Sequence, residues 1–307
     1  MSLVSVVIPA RDAELTIGRA IASVLSMSQV LEVIIVDDGS LDRTREIALG
    51  FSDPRVRVIE GPERGIAASL NTGFLASMGE FIARCDADDW YEPNRLGWQI
   101  EAFKKYPGTV AVSGGFSTVD CEGRFIADLA THGDVCDVSA RLLSGEAITT
   151  FCSWLVRRNV IELTGGAREW FATSSDVDLQ FRIAQYGAVM HFPRKAYWYR
   201  LHDGSITHTQ NHVKRHFFEK CATDFAIQRK FHGRDNLELN IPPKVPAGEA
   251  VPSTAYIQIA GQLTGQAWRH HALGHPFRGA MLICKALTYD PKGVFRYFRQ
   301  LILILIR

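Results

Sequence analysis

Three carboxylates fall within four positions, at Asp86, Asp88 and Asp89. They follow a Gly-led run, Gly79-Glu80-Phe81-Ile82-Ala83-Arg84-Cys85, whose apolar residues predict a strand over about 80–85. On extended backbone Asp86 and Asp88 point to the same side, and Asp89 follows on the turn. Bare carboxylates this close repel one another, so one is expected to titrate high unless a cation lies between them. Oxygen donors suit hard divalent ions such as Mg²⁺, Mn²⁺ or Ca²⁺. An ion held by so few protein ligands completes its shell with water and substrate phosphate. The plainer alternative is a solvated acidic turn capping a helix that starts near Pro93.

Composition narrows the class. The chain has 307 residues, 47% hydrophobic and 22% charged, enough for one large α/β domain with an appendage or for two domains. A formal net charge of +1 argues against a nucleic-acid binder that relies on a broad basic field. The six Cys form no Cys-x-x-Cys pair, so a zinc ribbon or redox motif is not expected. Scattered thiols fit a cytoplasmic protein, and the N-terminus lacks the build of a signal peptide. No apolar run reaches the roughly 18 residues that span a bilayer.

Elements that position the acidic stretch can be read in order. Residues 3–8 form a β-prone run stopped by Pro9, as in a strand buried on both faces. Leu15, Ile17, Ala20, Ile21, Val24 and Leu25 give one buried helical face. A second strand over 32–36 ends in Asp37-Asp38-Gly39-Ser40, with a helix from about Leu41 capped by Ser40. A third strand covers 56–59, and Gly65 opens a helix through Ala67, Ala68, Leu70, Phe74 and Leu75. This alternation implies βαβ units in a doubly wound sheet. Strand order 3-2-1-4 would bring Pro9-Ala10-Arg11, Asp37-Asp38 and Asp86 to Asp89 to one crevice beyond the carboxyl ends of the strands, where such sheets bind ligands.

The second half is less regular. Strands are expected over 109–115, 124–130, 151–156, 188–193 and 196–201, with a short helix ending at Gly165-Gly166. Ser174-Ser175-Asp176-Val177-Asp178 reads as a capped helix start. The boundaries read as an α/β domain over 1–210, a connecting helix over 211–232, a Pro/Gly-rich linker over 233–253 and a helical region over 254–307.

Taken together, the opening Val-Ser-Val-Val-Ile-Pro, the Val36-Asp37-Asp38-Gly39-Ser40 turn, Gly65 through Asn71-Thr72-Gly73, Asp86-Ala87-Asp88-Asp89, the Asp176 helix start and Trp198-Tyr199-Arg200-Leu201-His202 occur in the order of a known family. The chain resembles the family 2 glycosyltransferases, inverting enzymes of the GT-A fold, over about residues 3–210. The resemblance implies a nucleotide-diphosphate sugar donor, with a UDP-sugar favoured, and a divalent metal, Mn²⁺ or Mg²⁺. It implies a saccharide or lipid-linked acceptor in cell-surface polysaccharide or glycolipid synthesis. By position, Pro9, Ala10, Arg11, Asp38, Arg64, Asp86 and Ala87 would contact the donor. Asp88, with His202, would serve the metal, and Asp176 would be the catalytic base. Three of these have a plain alternative: Asp38 as a helix cap, Arg64 as a surface Arg, His202 as an ordinary His. Asp89 either supports the metal shell or caps the next helix. Asp178, two residues past Asp176, reads as a cap or stabiliser of the first helical turn. The chain departs from the family pattern at Arg11-Asp12, Leu70 and Ser175.

Other classes compete. A sugar-1-phosphate nucleotidyltransferase should carry a Gly-rich loop after the first strand, and residues 9–14 contain no Gly. A non-catalytic nucleotide-sugar-binding protein is separated only by turnover. His208, His212 and His216, or His270, His271 and His275, are spaced to hold a metal but read more simply as surface residues. Phe295, Phe298, Ile302 and Leu305 share a helical face near Lys292, Arg296 and Arg299. That helix suits peripheral contact with the inner face of the cell membrane, or packing on protein, including a homodimer.

Overall fold

The computed structural model describes residues 3–204, 212–246 and 254–306. They form two compact units. One takes in the chain up to 116, 129–199 and 214–246. The other takes in 117–128, the segment after 200, and the C-terminal helices.

In the first unit, β1 (Val4–Ala10), β2 (Val30–Asp37), β3 (Val56–Glu60) and β4 (Phe81–Arg84) run parallel in the order β3-β2-β1-β4. They alternate with helices α1 (Ile17–Leu25), α2 (Thr44–Leu49) and α3 (Ile66–Ala76). Because side chains alternate along a strand, each strand feeds two cores. Val4, Val6 and Ile8 pack with Ile17, Ile21 and Val24 of α1, while Val7 packs with Leu70 and Phe74 of α3 on the other face. This is the doubly wound arrangement the sequence predicts.

Beyond β4 the sheet changes character. After β5 (Trp90–Tyr91) and α4 (Arg95–Lys105) come β6 (Thr109–Val119), β7 (Phe125–Leu129), β8 (Cys136–Asp137), α5 (Ser139–Leu142), β9 (Leu155–Arg157), α6 (Arg158–Thr164), α7 (Ser175–Ile183) and β10 (Ala188–Arg200). The order continues β9-β6-β10-β5, with β7 on β6 and β8 on β10. The pairings β4–β9, β9–β6, β10–β5 and β10–β8 are antiparallel. The sheet is therefore mixed rather than mostly parallel.

Several local expectations shift. Residues 151–153 form a 3-10 turn instead of strand. Arg95 and Gln99 of α4 donate to the carbonyls of Cys152 (2.7 Å), Trp154 (2.9 Å) and Ser153 (2.9 Å), which removes those acceptors from the ladder. The two strands expected over 188–201 are one, β10. The helix expected from Leu41 starts at Thr44, whose N–H donates to Asp42 at 2.9 Å, and Ser40 accepts from Asp12 N–H instead of capping. Leu15 precedes α1 and is exposed. Leu75 lies about 100° round α3 from Phe74 and is also exposed.

The helix expected over 211–232 is α8 (His212–His232), which seats Phe218, Cys221, Ala222 and Phe225 in the core around Trp154 and Phe171. Of the expected linker, 233–246 belongs to the first unit, and Asp235 in it is fully buried. Residues 247–253 and His208 lie outside the described residues.

In the second unit, α9 (Ala255–Ala272), α10 (Pro276–Tyr289) and α11 (Val294–Ile306) bury Ile259, Leu263, Ala267, Ile283, Ala286, Tyr297 and Ile304. Among the described residues no helix is long and apolar enough to cross a membrane.

Two helix glycines separate packing from propensity. A Cβ at Gly73 in α3 would lie 2.2 Å from Val7 Cγ1, whereas one at Gly97 in α4 would meet only Gln29 Nε2 at 3.5 Å. Ala at either site gains about 0.5–1 kcal/mol of helix stability over Gly, but forced overpacking costs about 1–3 kcal/mol. Chemical denaturation should therefore find Gly73→Ala destabilised and Gly97→Ala neutral to slightly stabilised.

Candidate active site

Arg84 ends β4, and Asp86, Asp88 and Asp89 follow it on the turn that leads into β5. Arg84, 8% exposed, grips Asp86 with two bonds, Nε to Oδ1 at 2.6 Å and Nη2 to Oδ2 at 3.1 Å. The Cys152 thiol donates to Oδ2 at 3.3 Å, and the Asp86 N–H donates to the Tyr197 hydroxyl at 2.9 Å. The third guanidinium nitrogen, Arg84 Nη1, lies 4.0 Å from Asp176 Oδ2. Burial works against the Arg84 charge, but the carboxylates of Asp86 and Asp176 outweigh it and hold its pKa well above the ordinary value. Burial pushes the Asp86 carboxyl up; Arg84 pulls it back and Asp88 pushes it further up. Burial also raises the Cys152 thiol, so it stays protonated as a donor.

One carboxylate oxygen from each of Asp86, Asp88 and Asp89 falls within 4.8 Å of the others, the only group of three or more such ligands among the described residues. Three hard oxygen donors this close fit a divalent cation of the Mg²⁺ or Mn²⁺ kind. The turn that holds them is fixed from below. Tyr91 donates to the Arg84 carbonyl at 2.9 Å. Trp90 and Trp198 stack at 5.7 Å across the β5–β10 pair, with Arg19 over Trp90 at 3.3 Å and Lys195 over Trp198 at 4.1 Å. Asp89 is buried and does not cap the next helix: α4 begins at Arg95 after Asn94, and no side chain caps it.

The other donor-site expectations spread around this end of the sheet. Pro9 and Ala10 are the last residues of β1, buried beside Val36 and Asp37 of β2, and Arg11 beyond them is exposed. Asp38 is buried; its N–H donates to the Ala10 carbonyl at 2.9 Å and its Oδ1 accepts from Glu63 N–H at 2.7 Å. It ties the loop before α3 to β2 and is not a helix cap. Arg64, on that loop, is exposed and pairs with Glu169 at 3.4 Å. Ala87 is buried in the sheet core. His202 follows β10 in the second unit, half-buried.

Asp176 and Asp178 part company at the start of α7. Ser174 adopts a left-handed turn there (φ 63°), with no side-chain cap. Asp176 is 28% exposed and faces Arg84. Asp178 is fully buried; it accepts from Arg182 Nε at 2.8 Å and from Arg229 of α8 at 3.4 Å, with Arg168 at 3.7 Å. Arg168 reaches Asp235 at 2.7 Å, and Arg229 bonds the same carboxylate. Arg182 also donates to the carbonyls of Thr164 (2.6 Å) and Gly166 (2.7 Å), while the Asn71 amide spans Ala167. Asp178 thus locks the helix start rather than capping it.

Sequence reasoning passed over Arg84, Cys152 and Tyr197. Arg84 carried a signal, its two-residue offset from Asp86; Cys152 and Tyr197, 66 and 111 residues from Asp86, carried none.

The family model described as Glycosyl transferase family 2 matches residues 5–163. The chondroitin synthase of Pasteurella multocida is 30% identical over 226 residues, 70% of this chain and 22% of that protein. The UDP-Glc:alpha-D-GlcNAc-diphosphoundecaprenol beta-1,3-glucosyltransferase WfgD of Escherichia coli is 38% identical over 105 residues, 34% of this chain and 42% of that protein. The chain thus spans about a fifth of the first of these relatives and less than half of the second. Staphylococcus aureus TarS 1-349 in complex with UDP-GlcNAc superposes with a TM-score of 0.63 at 13% identity, covering 98% of this chain and 89% of that one. This likeness bears out the expected GT-A fold.

The buried Asp178 changes what its removal should cost. A helix cap is worth about 0.5–2 kcal/mol, but breaking a buried ion pair costs about 3–5 kcal/mol because the partner charges are left uncompensated. Asp178→Asn should lose stability in the larger range, read by urea denaturation. A loss below about 1 kcal/mol would refute the lock.

Proposed function

Because this chain belongs to glycosyl transferase family 2, we propose that it transfers a sugar from a nucleotide-diphosphate donor to an acceptor hydroxyl, with inversion and with Mn²⁺ or Mg²⁺. The observation that carries this reading is the convergence of Asp86, Asp88, Asp89 and Asp176 around Arg84 at the carboxyl end of β4, next to β1. In such sheets that is where ligands bind.

Asp88 and Asp89 would hold the metal, with Asp86 already gripped by Arg84 and turned to the donor nucleotide. Bound there, a divalent cation supplies neutralisation of the charge that develops on a leaving diphosphate. Asp38, with Pro9, Ala10, Arg11, Arg64 and Ala87, would line the nucleotide pocket. Asp176 would take the proton from the acceptor hydroxyl as its oxygen attacks the anomeric carbon. Arg84 Nη1, 4.0 Å from Asp176, would help orient that carboxylate, and the Asp178 lock would hold the start of α7. Holding donor and acceptor in line supplies much of the rate, and displacement from the far face inverts the anomeric centre.

A UDP-sugar is the favoured donor, since TarS crystallised with UDP and with UDP-GlcNAc. The names of the chondroitin synthase and of WfgD favour polysaccharide assembly, and the latter a lipid-linked saccharide acceptor.

A thermal-shift series of nucleoside diphosphates with and without Mn²⁺ tests the donor assignment, since stabilisation follows affinity by mass action. UDP with Mn²⁺ should raise the melting temperature most, and Asp88→Ala should lose the Mn²⁺-dependent part. Unchanged metal dependence in that variant would remove Asp88 from the metal site. Asp176→Asn should keep UDP and Mn²⁺ binding and lower turnover by roughly 10²–10⁴. Normal turnover in Asp176→Asn would place the base elsewhere.

A further inference from the structure

The charge of this chain is divided unevenly. Residues 254–307 hold seven Lys and Arg against one acid, Asp290, a formal +6 where the whole chain is +1. The first 253 residues are therefore at −5. The basic groups sit on helices with an exposed apolar face. On α11, Tyr297 and Ile304 point into the unit and are buried. Phe295 (88% exposed), Phe298 (63%), Ile302 (40%) and Leu305 (48%) lie within an arc of about 80° on another face. Arg299 flanks that arc, and Lys292 stands exposed just before the helix. α10 likewise exposes Phe277 and Met281, with Arg278 beside them.

A soluble face gains nothing from four large apolar side chains in one row. Among the described residues no helix is long and apolar enough to span a bilayer, but an amphipathic helix with bases at its margin suits the plane of a headgroup layer. We propose that α11 docks the protein on an anionic membrane surface, with its aromatic and aliphatic stripe in the headgroup–acyl boundary and the surrounding Lys and Arg against lipid charge. The charge complementarity selects this occupant: an acidic bilayer matches a +6 tail, whereas a second copy would bring a second +6 against it. The inference does not depend on the sugar-transfer reading.

Vesicle flotation of the full chain tests it. The protein should float with phosphatidylcholine vesicles that contain phosphatidylglycerol, not with pure phosphatidylcholine, and added salt should weaken the binding. Lys292→Glu with Arg299→Glu should reduce affinity for the anionic vesicles more than about tenfold. Phe295→Ser with Phe298→Ser should reduce it as well. All four positions are exposed, so circular dichroism of both variants should match the parent. Equal flotation of parent and variants would overturn the proposal. So would a dimer in analytical ultracentrifugation that Phe295→Ser with Phe298→Ser dissolves while vesicle binding is unaffected. Binding to RNA but to neither kind of vesicle would also overturn it.

Discussion

Four carboxylates crowd the end of one buried strand, and Arg84 is what makes that crowd tolerable. Its guanidinium is a planar fork that matches Asp86 with two bonds and leaves a third nitrogen 4.0 Å from Asp176. A lysine could neutralise charge there but could not fix both oxygens of Asp86 in one plane. A buried ion pair is weak evidence for stability, because desolvation offsets much of the attraction. Its worth here is geometric: Asp86 is held in one orientation, and the carboxylate opposite is kept beside a fixed positive charge.

The rest of the first unit keeps that arrangement rigid. Arg95 lies fully buried over the Tyr91 ring at 3.9 Å and donates to the carbonyls of Cys152 and Trp154, which brings the Cys152 thiol to Asp86. The Trp90–Trp198 stack and the Tyr91 hydroxyl bind the acidic turn to β10 and back to β4. On the other side, Asp178 gathers Arg168, Arg182 and Arg229 under the start of α7. Asp176 and Asp178, two residues apart, are thus separated by burial: one faces a charged cleft and the other anchors the helix. The second unit has its own core and carries a different kind of chemistry, a basic and apolar surface.

The local layer of this structure is legible in the sequence. β-branched runs at residues 3–8 and 32–36 became parallel strands buried on both faces, and the run at 56–59, which includes Arg57, became the half-buried strand β3 at the end of the order. The faces of α1 and α3 followed from helical period, except for Leu15 outside the helix and Leu75 just past the buried arc. Strand–helix alternation implied a doubly wound sheet, and its order is the usual one, β3-β2-β1-β4. Asp86 and Asp88 were visible as a pair because a strand has a period of two, and Arg84 belonged to the same row.

What the sequence could not contain were distances across the fold. Residues 151–153 looked like strand until the side chains of α4 took their carbonyls. Nothing in the spacing of Cys152, Tyr197 or Asp176 marks them as neighbours of Asp86, since dozens of residues and several elements separate them along the chain. Asp178 read as a cap or stabiliser of the first helical turn because local pattern reports helix position but not what a distant helix will lay over it; Arg229 of α8 and Asp235 beyond it closed that site. Sequence by itself determined which backbone segments form and which way their side chains alternate, because those are short-range properties. Tertiary structure alone decided which charges meet and which are shut away from water, because burial and ion pairing depend on groups brought together only when the sheet and its helices close.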